Sequence, residues 1–169
     1  MIPESRLIKS ELIIRDMSLP NDVLLARKSL VRWIALSLGL ILPNESRTLL
    51  LGVLDALLYF HVKKEMPTTA DILSRLSSEN HEAGKSASSF QSPAGLQNGK
   101  PANPKAVYYH LLRLKESGLI SRKKGRYYFS EEEGRNLPEL FRELYLRKAD
   151  GAFSNISLAL KKLEDSYNL

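Results

Sequence analysis

The densest chemistry in this 169-residue chain lies between residues 100 and 128. That stretch holds eight Lys or Arg and one acidic residue, so its net +7 exceeds the +6 of the whole chain. A nucleic-acid duplex carries about one phosphate charge per 1.7 Å of axis, and clustered cations are what neutralise it. A charge run alone also describes an ordinary solvated helix face. Here the cations are interleaved with Tyr108 and Tyr109, side chains able to donate to phosphate or to stack on a sugar or a thymine methyl.

Other chemistries find no support. There is no cysteine, which removes disulfides, thiolate metal sites and a cysteine nucleophile. His61, His81 and His110 are far apart, with no ligand spacing for zinc. No Walker A, GxGxxG or GxSxG pattern occurs. Glu131–Glu133 reads as a favourable helix start rather than as a catalytic carboxylate cluster. The expectation is a non-enzymatic protein with no cofactor and no metal.

The composition is that of a folded chain, with 43% hydrophobic residues, a mean hydropathy of −0.23 and a pI near 9.5. Two apolar runs raise the question of a membrane. Leu30–Leu42 is broken by Arg32 and ended by Pro43, and Leu49–Val62 contains Asp55. Both fall short of the roughly 20 residues that span a bilayer. The N-terminus carries no signal-peptide pattern. The chain therefore reads as soluble and cytoplasmic, nucleoid-associated if it binds DNA.

The elements that position the basic segment follow from caps and periodicity. A helix is expected from Asn21 or Asp22 to about Gly39, with Trp33 in the core. A second runs from Pro43-Asn44 to about Lys64. It is apolar nearly all round except for a stripe through Thr48, Gly52 and Asp55, so it should be central and covered on several sides. Thr68 and Asp71 open a short third helix ending near 77. Residues 77–103 are rich in Ser, Gly, Asn, Gln and Pro and read as a flexible insertion. Asn103-Pro104 starts a helix that keeps Val107, Leu111 and Leu114 on its buried side and stops at Gly118. A hairpin follows, turning at Lys124-Gly125, with one face of Tyr127-Tyr128-Phe129 in the core. Ser130 and Glu133 form a capping box, and two helices, about 137–148 and 152–167, close the chain around Gly151. Phe153, Ile156, Leu160, Leu163 and Tyr167 are spaced 3, 4, 3 and 4 apart, a heptad seam that would pack on the chain's own core or on a second copy.

The order helix, helix, helix, basic hairpin resembles a winged helix-turn-helix domain. The string NPKAVYYHLLRLKESGLISRKKGRYYF looks like the recognition helix and wing of bacterial and archaeal regulators of the MarR, ArsR and PadR type. The resemblance covers about 44–130. It implies a mainly α fold, with an N-terminal helical extension over 1–43 and a C-terminal helical segment over 131–169. It also implies double-stranded DNA as partner and a homodimer.

On that reading Lys105, Tyr108, Tyr109 and Arg113 face the major groove, where the first turns of a helix reach base edges. Arg122, Lys123, Lys124 and Arg126 form the wing on the backbone or in the minor groove. Phe153, Ile156, Leu160 and Leu163 pair the subunits. His110 reads as a boundary residue. The chain departs from an ordinary helix-turn-helix, whose two helices are joined by 3–4 residues; here about 26 separate Leu76 from Asn103. The competing reading is a winged-helix protein-interaction module, which an apolar exposed patch on the helix would favour.

Overall fold

The structure is a computed structural model that describes residues 3–83, 101–130 and 135–167, apart from the side chains of 80–83. It is mainly helical with one two-stranded antiparallel sheet. After a 3-10 turn at Glu4–Arg6 come α1 (Asn21–Leu24), α2 (Arg27–Ser37), α3 (Thr48–Val62), α4 (Thr69–Ala83), α5 (Pro104–Glu116), β1 (Ser121–Lys123), β2 (Arg126–Tyr128) and α6 (Leu137–Tyr167). None of the described helices is long and apolar enough to cross a membrane. The chain divides into two compact units. One spans Ile13–Glu133; the other combines Met1–Leu12 with Gly134–Leu169.

In the larger unit α3 is the centre, packed against α2, α4, α5 and β2. Its Leu50, Val53, Leu54, Ala56 and Leu57 are buried. The stripe that reads as polar in sequence is covered too, with Thr48 and Gly52 half-buried and Asp55 buried. A β-carbon on Gly52 would stand 2.8 Å from Leu76 Cδ2, so glycine is what lets α4 lie close there. Asp55 is buried and pairs with Arg27 at 3.3 Å. Desolvation raises its pKa, and the nearby Arg27 charge only partly offsets this. Arg27 also reaches Glu79 at 2.8 Å, and Glu79 holds Arg75 at 3.1 Å. Arg75 stacks over the Tyr59 ring at 3.5 Å. One charge network thus ties α2, α3 and α4 together.

The single helix expected over about 22–39 is two. Ala26 is extended (φ −124°, ψ 116°), and the break lets α2 bury Val31 and Ala35 rather than Leu30 and Trp33. Trp33 is half-buried, and its indole N–H donates to Ser18 O at 2.9 Å. Residues ahead of α1 are stitched onto the end of α2. Arg15 N donates to Ser37 O at 2.8 Å, and the Arg15 guanidinium donates to Leu36 O and Ile41 O. These carbonyls lie at and just beyond a helix C-terminus, where acceptors are otherwise left over.

Helix α4 starts as its capping box implies. Thr68 N donates to Asp71 Oδ2 at 2.7 Å, and Asp71 N donates to Thr68 Oγ1 at 3.3 Å. It runs to Ala83, past the expected end near 77, because its polar residues are satisfied within the helix. Ser77 and Ser78 hydroxyls donate to the carbonyls of Leu73 and Ser74, and Arg75 pairs with Glu79 one turn on. The rest of the insertion expected over 77–103, from 84 to 100, lies outside the described residues, as do Glu133 of the expected capping box and the Glu131–Glu133 run.

In the smaller unit α6 is one continuous helix where a stop at Gly151 is expected. Asn136 caps it, accepting from Glu139 N at 2.9 Å. Glycine inside a helix costs about 1 kcal/mol. Ala149 and Ala152 are strong helix formers on either side of Gly151, and the Ser154 hydroxyl is satisfied inside the helix, donating to Asp150 O at 2.8 Å. Near the start Glu143 takes both Arg135 and Arg147.

Candidate functional site

The basic segment folds into α5 and a hairpin. Asn103 Oδ1 accepts from Lys105 N at 3.0 Å, Pro104 occupies the first helical position, and Gly118 (φ +74°) ends the turn after the helix. Val107, Leu111 and Leu114 are fully buried. That fixes the rotation of α5. It turns Lys105, Tyr108, Tyr109, Leu112 and Arg113 outward at spacings of 3, 1, 3 and 1, a single exposed stripe of the helix. Tyr108 is 46% exposed and Tyr109 54% exposed. The Arg113 guanidinium lies 6.0 Å from the Tyr109 ring centre, and the Tyr109 and His110 rings meet edge to face at 5.6 Å.

The hairpin pairs Ser121 with Tyr128, Arg122 with Tyr127 and Lys123 with Arg126. Its turn residues Lys124 (φ +49°) and Gly125 (φ +78°) both take the left-handed backbone that a tight two-residue hairpin needs. Tyr127 is buried and anchors the hairpin, and Tyr127 N donates to Pro67 O at 2.8 Å. Arg122 packs over the Tyr127 ring at 5.4 Å. Arg122, Lys123, Lys124 and Arg126 are all exposed. The Arg126 guanidinium is engaged, however, donating to Met66 O at 2.9 Å.

All eight residues singled out from sequence are therefore exposed, four on one stripe of α5 and four on the hairpin that follows it. Sequence reasoning missed a neighbouring group. Arg47, the residue before α3, ion-pairs with Glu45 at 3.0 Å. The Glu45 carboxylate also accepts from Leu42 N at 2.9 Å, and Arg32 donates to Glu45 O at 2.9 Å. The Leu42 N–H, then Arg47, lowers the Glu45 pKa. His110 is held more neutral than usual, first by burial and then by the charges of Arg47 and Arg113. The sequence carries no signal that the Arg47 charge reaches His110, because that depends on the packing of α3 on α5.

In the smaller unit Phe153, Ile156, Leu160 and Leu163 are exposed, as is every described residue from Asp150 onward. Because α6 is continuous, the seam extends one heptad back through Ala149 and Leu146. Among the described residues no group of three or more His, Asp or Glu could hold a metal ion.

Comparison with protein-family models, curated proteins and solved structures finds no match to this chain.

Proposed function

We propose that the chain is a winged helix-turn-helix DNA-binding regulator, with α5 reading the major groove, the hairpin as wing, and α6 pairing two copies. The observation that carries this reading is the cationic hairpin beside the α5 stripe. Lys123 and Arg126 stand directly opposite each other. With Arg122 and Lys124 they concentrate four cations on eight residues. A phosphate backbone is a ligand that such a concentration of cations suits.

The α5 stripe fits the same partner. Lys105 and Arg113 supply charge-assisted donors for phosphate or guanine, and the two tyrosines supply hydroxyls and apolar faces. On α6 a stretch of some 18 residues, without tertiary cover, is marginal in water by itself. A self-complementary heptad seam gives it a partner in a second copy.

The test is titration into a fluorescent random-sequence duplex, followed by anisotropy at several salt concentrations. Micromolar binding at low salt with log K falling steeply against log salt supports the reading. Absence of binding even at low salt overturns it. One observation favours a second reading in that event: Tyr108, Tyr109 and Leu112 form an apolar element on the exposed stripe, suited to a protein partner in a larger assembly.

A further inference from the structure

We infer that two copies of α6 pair as a parallel, in-register coiled coil over residues 146–167, so that the chain enters the pair from the same end in both copies. This rests on the pairing of copies proposed above and adds its direction and register, which that reading leaves open.

Three features of α6 converge. The first is charge. With Leu146 at position a of the heptad, the e positions are Glu143, Asp150, Ser157 and Glu164, and the g positions are Tyr145, Ala152, Ala159 and Ser166. One flank of the seam is therefore acidic and the other uncharged. The e and g residues set the orientation of a coiled coil. A parallel pair sets the e flank of each helix against the g flank of the other, so that no acidic residue meets another. An antiparallel pair sets e against e. Of its two longest overlaps, one aligns residue 149 with 167 and places Asp150 of each copy beside Glu164 of the other. The second aligns 146 with 163 and places Glu143 beside Glu164. Each brings a like-charge contact twice, a repulsion that selects against that arrangement.

The second feature is coverage. The seam residues Leu146, Phe153, Ile156, Leu160, Leu163 and Tyr167 are all exposed in the single chain. A parallel pair in register covers all of them together with Ala149, whereas each antiparallel overlap leaves out either Leu146 or Tyr167. The third is size. Long side chains on a helix lean toward its N-terminus. In the parallel pair both Phe153 rings lean over the Ala149 layer, where two methyl groups leave them room. In the longer antiparallel overlap that layer is filled by Tyr167 of the other copy.

The chain contains no cysteine, so a single introduced thiol can cross-link only to its own counterpart. The test oxidises the full chain carrying Leu163→Cys or Ala149→Cys, with Leu158→Cys on the opposite side of the helix as control. Two seam sites are used so that loss of the Leu163 side chain does not by itself decide the outcome. A disulfide needs Cα atoms about 4.4–6.8 Å apart. In the parallel pair residue 163 faces 163 and 149 faces 149. In either antiparallel overlap the two copies of each site stand at least about 15 Å apart along the axis. Thiols held in one layer meet at an effective concentration of order mM, against micromolar for free encounters. Both seam variants should therefore form disulfide-linked dimer on the order of a hundredfold faster than Leu158→Cys. Sedimentation equilibrium of the wild type supplies the second readout. A dimeric wild type with cross-linking at 149 and 163 no faster than at 158 overturns the parallel alignment and leaves the pairing of copies standing. A monomeric wild type overturns both.

Discussion

Lys123 faces Arg126 directly across the hairpin, one residue pair from its turn. Lys123→Thr should leave stability in urea denaturation within about 0.5 kcal/mol of wild type, since threonine suits an exposed strand position. The same change should weaken duplex binding equally on all sequences and lower the salt slope by about one. Binding lost with stability kept is the signature of a residue retained for binding; loss in both would mean that Lys123 serves the fold.

Arg113 and Arg126 carry the same charge but differ in attachment. Arg113 lies on the outward stripe beside Tyr109, whereas Arg126 donates to Met66 O. Arg113→Ala should weaken binding to a selected operator by about 1–3 kcal/mol and bind random duplex far less affected, as expected for a base contact. Arg126→Ala should lose about 1 kcal/mol of stability, the worth of its hydrogen bond. Equal loss on operator and random duplex for Arg113→Ala would make it a phosphate contact only.

The parts of this architecture that were legible in the sequence are those set by local rules. Asn103-Pro104 and Gly118 bracket α5, Val107, Leu111 and Leu114 fix its rotation, and Lys124-Gly125 places the hairpin turn. What escaped depends on contacts distant in sequence. No glycine or proline marks the break at Ala26, so the buried face of α2 was not readable. Gly151 is a helix breaker by propensity, yet it is carried through by its neighbours in α6. The Arg47 charge reaches His110 only through the packing of α3 on α5, which has no sequence signature.

Gly39 should tolerate no side chain. Its φ is +69°, and a β-carbon there would lie 2.6 Å from Ile13 Cβ. Gly39→Ala combines a left-handed penalty of about 1–2 kcal/mol with that clash. Urea denaturation should show a loss of about 2 kcal/mol or more. Pairing it with Ile13→Gly should recover the steric part and leave the backbone part. If the double variant is no better than the sum of the two single changes, the contact with Ile13 is not what excludes a side chain at 39.

Asp55 gives stability a pH dependence of unusual sign. Burial raises its pKa above the ordinary carboxylate value, so its neutral form is the better fit. Its contribution is fully present below the unfolded pKa near 4 and is lost as pH rises through the folded value. Glu45, Asp71 and Glu143 have lowered pKa values; they contribute above pH 4 and lose that contribution below it. Comparing wild type with Asp55→Asn cancels those three. As pH falls from 7 toward 4, wild type should gain stability relative to the variant. A difference in Tm constant over that range would mean that Asp55 is ionised as readily folded as unfolded.

The α6 seam makes a prediction that exposure alone does not. Leu160 is 55% exposed and Leu158 61% exposed in the single chain, so a solvated helix would accept a charge at either. Only Leu160 lies on the line through Leu146, Ala149, Phe153, Ile156, Leu163 and Tyr167; Leu158 projects from the opposite side, about 200° around the helix from Ile156. In a paired coiled coil Leu160→Asp buries a carboxylate in the seam, at a cost of several kcal/mol, while Leu158→Asp leaves it in water. Sedimentation equilibrium should therefore give a dimer for wild type and Leu158→Asp and a monomer for Leu160→Asp. Far-UV circular dichroism should show helix loss in the monomer, because the uncovered end of α6 is marginal without its partner. A monomeric wild type would overturn the pairing, as would an unchanged dimer with Asp at 160.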